Sequence, residues 1–211
     1  MMGKCELEII DLTKTYEGKN VLDRFSLTLP GKGTVCLYGP SGCGKTTLLN
    51  CIAGLEPYDS GSITGTEDLK IAYLFQEDRL LPWISAAENI AAVLRGRKEQ
   101  NREEARKWMR LVGLEGEDEK LPAQLSGGMK RRVAIARTLA YGGNLFLLDE
   151  PFRALDPESK EQMISLMKNK TDDALKILVT HDLQEAEMLA DVTYILSGPP
   201  VRINKKTVRN L

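Results

Sequence analysis

A glycine-rich segment of the sequence has the residue types and spacing of a phosphate-binding loop. It reads Gly-Pro-Ser-Gly-Cys-Gly-Lys-Thr over residues 39–46, between a predicted strand and a predicted helix. The glycines let backbone N–H groups turn inward around phosphates, and the N-terminus of the following helix adds the positive end of its dipole. We expect Lys45 to reach the β- and γ-phosphates of a nucleotide and Thr46 to bind Mg²⁺. The residues expected to contact the nucleotide here are Gly39, Pro40, Ser41, Gly42, Cys43, Gly44, Lys45, Thr46 and Thr47.

Two adjacent acids follow an apolar strand later in the chain. Asp149 and Glu150 come directly after the run 145–148, at the carboxyl edge where open α/β sheets bind their ligands. We expect Asp149 to hold Mg²⁺, through water, and Glu150 to act as a general base toward an attacking water. The alternatives are that residues 39–46 form a glycine-rich turn in which the lysine stands by chance, and that Asp149 and Glu150 cap the next turn. The presence of both patterns in one chain favours the nucleotide interpretation.

A second anion-binding pattern precedes a predicted helix at 129–141. Ser126, Gly127 and Gly128 stand before that helix, where a hydroxyl and free backbone N–H groups suit a phosphate. The first turn of the helix carries basic residues, which oppose the helix dipole. The alternative is that Ser126 is a helix cap.

In combination these residues resemble the nucleotide-binding subunit of ATP-binding cassette (ABC) transporters, over nearly the whole chain. Residues 125–129 match the signature sequence of that family, with Met129 where glutamine is usual. The resemblance implies ATP as the nucleotide, Mg²⁺ as the metal and ATP hydrolysis as the reaction. It also implies that two copies pair head to tail, so that Ser126, Gly127 and Gly128 of each copy close over the ATP of the other.

The resemblance also implies roles for residues whose types alone do not indicate a function. Tyr16 would stack on adenine, although a tyrosine in a hairpin is more often a packing residue. Gln76 would sense the γ-phosphate and the metal, and His181, the only histidine of the sequence, would contact the γ-phosphate. Residues 154–156 match the loop that crosses to the partner copy, with Arg153 where a small residue is common. Asp182 and Glu185 are predicted to cap the helix after His181.

Hydrophobic patterning predicts the elements that position these residues. Alternating segments at the start predict an antiparallel hairpin, later apolar runs predict parallel strands, and periodicity over 85–141 predicts a helical insertion. We therefore predict an α/β fold in one domain, with a parallel-sheet core, an N-terminal antiparallel β subdomain (together 1–84 and 142–211) and an inserted α-helical subdomain. This is the fold that the resemblance implies. The predicted strands are 6–15, 21–29, 34–38, 71–75, 145–148, 177–179 and 193–196, the predicted helices are 45–53, 84–94, 102–112 and 129–141, and 202–209 is expected to be a solvated basic end.

Composition and charge restrict the class of protein. The 211 residues are 42% hydrophobic and 28% charged, which is typical of a globular chain with a buried core. The formal charge of -1 gives no field that would attract nucleic acid, so no such partner is expected. We expect no transmembrane segment, no signal peptide, reduced cysteines, and a peripheral location on the cytoplasmic face of the inner membrane.

Several functional classes share a phosphate loop. A small-molecule kinase would not explain Ser126 or His181, and an ABC protein of translation or DNA repair usually carries two cassettes or a long coiled coil. An exporter or another single-cassette complex stays open as an alternative. The apolar residues 80–83 after Gln76 suit docking to a membrane permease, with packing inside the insertion as the other reading. The segment resembles importers of nitrate, sulfonates, taurine or thiamine-type precursors, which also use an extracytoplasmic binding protein.

Overall fold

A computed structural model describes residues 7–209, and these divide into two compact units. The first unit contains the described residues up to Tyr73 together with 144–150 and those from 173 onward, and the second contains 74–143 and 151–172. The predicted helical insertion falls inside the second unit. The strands are β1 (Leu7–Tyr16), β2 (Lys19–Leu29), β3 (Gly33–Tyr38), β4 (Ser60–Thr64), β5 (Ile71–Leu74), β6 (Leu145–Asp149), β7 (Leu175–Thr180), β8 (Val192–Ser197) and β9 (Arg202–Val208). The helices are α1 (Lys45–Ile52), α2 (Ala86–Ala91), α3 (Lys98–Leu111), α4 (Gly127–Tyr141), α5 (Pro157–Lys170) and α6 (Leu183–Leu189), with a short 3₁₀ helix at Pro122–Gln124.

A small antiparallel sheet forms the first part of the chain. Its strand order is β2-β1-β4, and β1 pairs antiparallel with both neighbours. The hairpin predicted from alternating hydrophobicity is therefore confirmed, while β4 was not predicted. None of the five residues of β4 is buried, so it lacks the apolar run that marks a strand in a sequence.

A six-stranded sheet carries the predicted parallel core. Its order is β5-β6-β7-β3-β8-β9, with β3 parallel to both β7 and β8 and with β6 parallel to β7. Every residue of β6 and β7 is buried, as expected for strands covered on both faces. Because α1 begins shortly after β3 ends, the phosphate loop lies at the carboxyl edge of this sheet.

The basic end predicted to be solvated is instead a strand. Residues Arg202–Val208 form β9, which pairs antiparallel with β8 and is exposed along its whole length. The prediction of exposure is confirmed, whereas the strand itself was not predicted. The reason is that backbone hydrogen bonds to β8 hold this segment without burying its side chains, and such pairing leaves no hydrophobic signal.

Capping residues correct the predicted helix ends. Ser85 caps α2 and forms a capping box with Glu88, so the helix starts at 86 and not at 84. Asp182 caps α6 as predicted, by accepting from the N–H of Gln184. Glu185 does not cap that helix, because its buried carboxylate accepts a 2.6 Å hydrogen bond from the hydroxyl of Thr180.

A buried arginine organises the second unit around α4. Arg131 is 2% exposed, and its Nε donates to the carbonyl of Pro151 at 2.8 Å. Its Nη1 donates to the carbonyl of Phe75 at 2.7 Å and lies 3.2 Å from a carboxylate oxygen of Asp78. Arg131 thus connects α4 to Phe75, in the segment after β5, and to Pro151. These contacts explain why a basic residue stands in the first turn of α4, where it is unfavourable for an isolated helix.

We predict that Arg131→Met destabilises the protein by about 3 kcal/mol, because it leaves buried carbonyls and Asp78 without their donor. Urea unfolding followed by tryptophan fluorescence suits this test, since both tryptophans, Trp83 and Trp108, lie in the second unit. Arg106→Met is the control, because the Arg106 side chain is 49% exposed and its 3.5 Å pair with Glu119 is worth about 0–1 kcal/mol. Equal losses of stability in the two variants would contradict the structural role of Arg131.

Candidate functional site

The phosphate loop depends on glycines whose neighbours leave no room for a side chain. Gly44 has a φ of +108°, and a Cβ there would lie 2.6 Å from Val201 and 2.8 Å from Val21. A Cβ at Gly39 would lie 2.8 Å from the carbonyl oxygen of Leu196. The loop can therefore adopt this conformation only with glycine at these positions. Gly44 is the residue directly before α1, so the loop leads into the first turn of that helix.

The Lys45 ammonium is held by its own loop. It is 5% exposed and donates to the carbonyls of Gly39 at 2.8 Å and Pro40 at 2.7 Å, with the Cys43 sulfur at 3.8 Å. The positive charge is thus fixed where the loop backbone curves. An anionic group entering the loop would exchange places with these carbonyls as a partner of the ammonium.

Thr46 and Asp149 are brought together from α1 and β6. The Thr46 hydroxyl donates to a carboxylate oxygen of Asp149 at 2.7 Å, and Asp149 is 1% exposed. The two residues are more than one hundred positions apart in the sequence. The structure therefore joins the two predicted motifs at one edge of the sheet.

Glu150 and His181 form a second contact at the same sheet edge. Nδ1 of His181 lies 3.0 Å from Oε1 of Glu150, and the Glu150 side chain is 12% exposed whereas that of His181 is 58% exposed. Glu150 has a φ of 45°, a conformation that costs energy in a residue other than glycine, and its N–H donates to the carbonyl of Val179 at 2.9 Å. Glu150 directly follows β6 and His181 directly follows β7, so the contact lies at the carboxyl ends of two neighbouring parallel strands.

Tyr16 lies at the end of β1, near the helix that follows the phosphate loop. Its side chain is 40% exposed. Burial, followed by the negative charge of Glu56, raises the pKa of the Tyr16 hydroxyl, and the Thr47 hydroxyl, a neighbour of the same group, acts in the opposite direction. Tyr16 therefore stands beside the residue that follows Thr46 in the chain.

The second unit contains the remaining predicted residues. The Ser126 hydroxyl accepts from the N–H of Met129 at 3.2 Å, so the helix cap given as the alternative is present. A Cβ at Gly128 would lie 3.1 Å from the carbonyl oxygen of Ala154, so glycine lets α4 approach this loop. Gln76 is exposed, and its carbonyl oxygen lies 3.3 Å from Nη1 of Arg131.

The apolar segment after Gln76 is displayed on the surface. Trp83 is 73% exposed and Leu81 is 37% exposed. The buried side chain of Asn89 holds this segment, since its amide oxygen accepts from the N–H of Leu81 at 2.7 Å and its amide nitrogen donates to the carbonyls of Leu81 and Ile84. The alternative that Trp83 packs inside the helical insertion is wrong.

The sequence alone did not identify three residues that hold other groups in place. Arg131 and Asn89 serve backbone groups of distant segments, and Lys14 lies beside Tyr16. The basic first turn of α4 was the one signal that pointed to Arg131. A buried asparagine or lysine gives no signal in a single sequence, because burial of these residue types is decided by tertiary packing.

No helix within residues 7–209 has the length and apolar composition needed to cross a membrane. Within the same range, no cluster of three or more histidine, cysteine, aspartate or glutamate residues is placed to hold a metal ion. Cys36, Cys43 and Cys51 are free and buried, and burial raises the pKa of Cys36 to about 12 and that of Cys51 to about 11.

Comparisons with known proteins agree with this geometry. The family model described as ABC transporter matches residues 22–153. The taurine import ATP-binding protein TauB of Escherichia coli O157:H7 is 41% identical over 97% of this chain and 84% of its own length, and TauB of Shigella flexneri is 41% identical over 93% and 82%. The dimeric post-hydrolysis structure of the ATP-binding cassette MJ0796 bound to ADP and Pi superposes with a TM-score of 0.86 at 29% identity, over 97% of this chain and all of the other. The chain belongs to the ABC transporter family, in which it is an ATP-binding cassette and an ATPase.

Proposed function

We propose that this protein hydrolyses ATP to power bacterial import of taurine or a related small sulfonate-type anion. The observation that carries the proposal is the joining of the phosphate loop to Asp149 through Thr46, with Glu150 and His181 in contact beside it. The proposed substrate class rests on the similarity to taurine import proteins. In this function the chain works peripherally on the cytoplasmic face of the inner membrane, together with a permease and, indirectly, an extracytoplasmic binding protein.

The phosphate loop and Asp149 supply the groups that a magnesium nucleotide needs. Lys45 would exchange its two carbonyl partners for phosphate oxygens, and the loop residues 39–47 would surround the phosphates. The hydroxyl of Thr46 and the carboxylate of Asp149 are hard oxygen donors 2.7 Å apart, and they suit Mg²⁺. Gln76 is the third proposed ligand. When bound, the ion would neutralise charge that develops on the phosphates.

Glu150 is the proposed general base. A carboxylate oxygen can take the proton of a water aligned with the γ-phosphate. With Glu150 ionised, as a general base must be, Nδ1 of His181 would donate the hydrogen bond to Oε1 and orient both groups. His181 and Gln76 are proposed to contact the γ-phosphate, and Tyr16 to stack on adenine.

We propose a head-to-tail dimer as the catalytic unit. Ser126, Gly127 and Gly128 begin α4 and offer N–H groups and a hydroxyl to an anion, whereas each chain already has its own phosphate loop. In a dimer, these residues of one copy would close on the ATP of the other. The similar cassette MJ0796 is described as dimeric in two solved structures, which supports this arrangement.

The exposed segment around Trp83 is the proposed docking surface for the permease. Leu81 and Trp83 present apolar side chains to solvent while Asn89 fixes their backbone. Leu81 lies five residues after Gln76, so a change at the nucleotide could pass to a docked permease helix over a short length of chain.

We predict that Glu150→Gln keeps ATP affinity within about threefold and lowers steady-state hydrolysis by at least about a hundredfold, because the amide cannot accept the proton. The variant is expected to accumulate as an ATP-bound dimer in size-exclusion chromatography. Lys45→Ala is the contrasting variant, since loss of the charge should weaken ATP binding measured by calorimetry. Parental hydrolysis by Glu150→Gln would refute the assignment of the base.

We predict that a mixture of Ser126→Arg and Lys45→Ala subunits recovers ATPase activity that neither variant has alone. One site of the mixed dimer then contains an intact phosphate loop and an intact Ser126, because the two come from different chains. Differently tagged subunits and tandem purification isolate the mixed dimer, and its turnover is compared with that of each homodimer. An isolated mixed dimer without activity would contradict the shared site.

We predict that Trp83→Asp or Leu81→Asp abolishes co-purification with the permease and transport, while ATPase activity and melting temperature of the isolated subunit stay at parental values. The physical reason is that these side chains are exposed, so a charge there costs little in the free subunit. Leu111→Asp is the matched control, because Leu111 is an exposed leucine, 45% accessible, of the same unit. A destabilised Trp83→Asp subunit, or equal loss of binding by the control, would rule out docking here.

A further inference from the structure

Lys14 is a buried lysine whose ammonium lies over the ring of Tyr16. It is 7% exposed, and its Nζ lies 4.8 Å from the centroid of that ring. The same nitrogen lies 2.8 Å from Oε1 of Glu56 and donates to the carbonyl of Pro57 at 2.8 Å. The ammonium therefore has three partners, and one of them is an aromatic face.

The partners of Lys14 connect Tyr16 to the helix of the phosphate loop. Glu56 follows α1, and its N–H donates to the carbonyl of Asn50, in the last turn of that helix, at 3.2 Å. The contacts thus run from α1 through Glu56 and Lys14 to the face of the Tyr16 ring, while Glu56 and Thr47 act on the Tyr16 hydroxyl directly. All of these residues belong to the first unit, as do Lys45 and Thr46.

Packing alone does not require a charge at this position. Lys14 is buried while the side chain of Glu56 is 29% exposed, and taking an ammonium group out of water costs desolvation energy that an apolar side chain of similar volume would not. The hydrogen bond to Glu56 is the main cause that raises the pKa of Lys14, and the same bond lowers the pKa of Glu56, so both groups stay charged at neutral pH. A cation against one face of a tyrosine attracts the ring and restrains its orientation. The ring remains 40% exposed for a further contact.

We propose that Lys14 is a positioning residue for nucleobase binding: held by Glu56, it fixes the Tyr16 ring at a set distance from the phosphate loop, ready to stack on adenine. The inference rests on the proposed role of Tyr16. It predicts an effect on binding of nucleotides that carry a base, and none on base-free polyphosphate or on the chemical step.

The test is a double-mutant cycle on ADP binding, measured by calorimetry. Lys14→Met should weaken ADP binding about fivefold, and it should have no further effect when Tyr16 is already alanine. Inhibition by inorganic tripolyphosphate and the kcat for ATP should stay at parental values. Lys206→Met is the matched control, because its ammonium also lies near a tyrosine ring, 5.5 Å from the centroid of Tyr194, and neither residue is a proposed nucleotide contact. This variant should leave ADP binding unchanged.

The possible outcomes separate the two hypotheses. If Tyr16→Ala weakens ADP binding and Lys14→Met does not, or if their effects are additive, the positioning role of Lys14 is refuted while the role of Tyr16 stands. Unchanged ADP binding in Tyr16→Ala refutes the nucleobase role and this inference with it. Should Lys14→Met fail to fold, Glu56→Ala tests the same contact, since it removes both the charge and the oxygen that hold Lys14; unchanged ADP affinity there would also refute the proposal.

Discussion

The structure depends on the phosphate loop, which holds a buried ammonium group at the carboxyl edge of a parallel sheet. Lys45 is buried in its loop by carbonyl partners that a phosphate can replace, so little rearrangement of charge is needed when a nucleotide binds. The loop path requires glycine where Val21, Val201 and Leu196 approach the backbone. The sheet supplies the fixed frame, since β3 leads into the loop and β6 delivers Asp149 to Thr46.

The proposed catalytic groups Glu150 and His181 directly follow β6 and β7 and contact each other at 3.0 Å. Lys14 and Glu56 connect Tyr16 to the helix that follows the phosphate loop. Tyr16, Glu150 and His181, which are proposed to contact the two ends of ATP, thus all belong to the first unit.

The second unit is organised differently, around side chains that bind backbone carbonyls. Arg131 connects α4 with Phe75 and Pro151, and Asn89 holds the segment that displays Trp83. These contacts join α4 to the segment after β5, and α2 to the segment that displays Trp83, all within the second unit. In the proposed function, this unit carries Ser126, Gln76 and the docking surface, so a change at the nucleotide could be passed through it to the membrane partner.

The sequence alone determined the chemistry and most of the core. Glycine spacing, the acids after an apolar run and the signature residues are local patterns, and so are the strands whose residues are all buried; these predicted the phosphate loop, Asp149, Glu150 and the parallel sheet. Only the tertiary structure decided β4, β9, the partner of Glu185, and the burial of Arg131 and Lys14. The physical reason is that exposed strands and buried polar side chains owe their positions to hydrogen-bond partners far away in the chain, and one sequence does not reveal such partners.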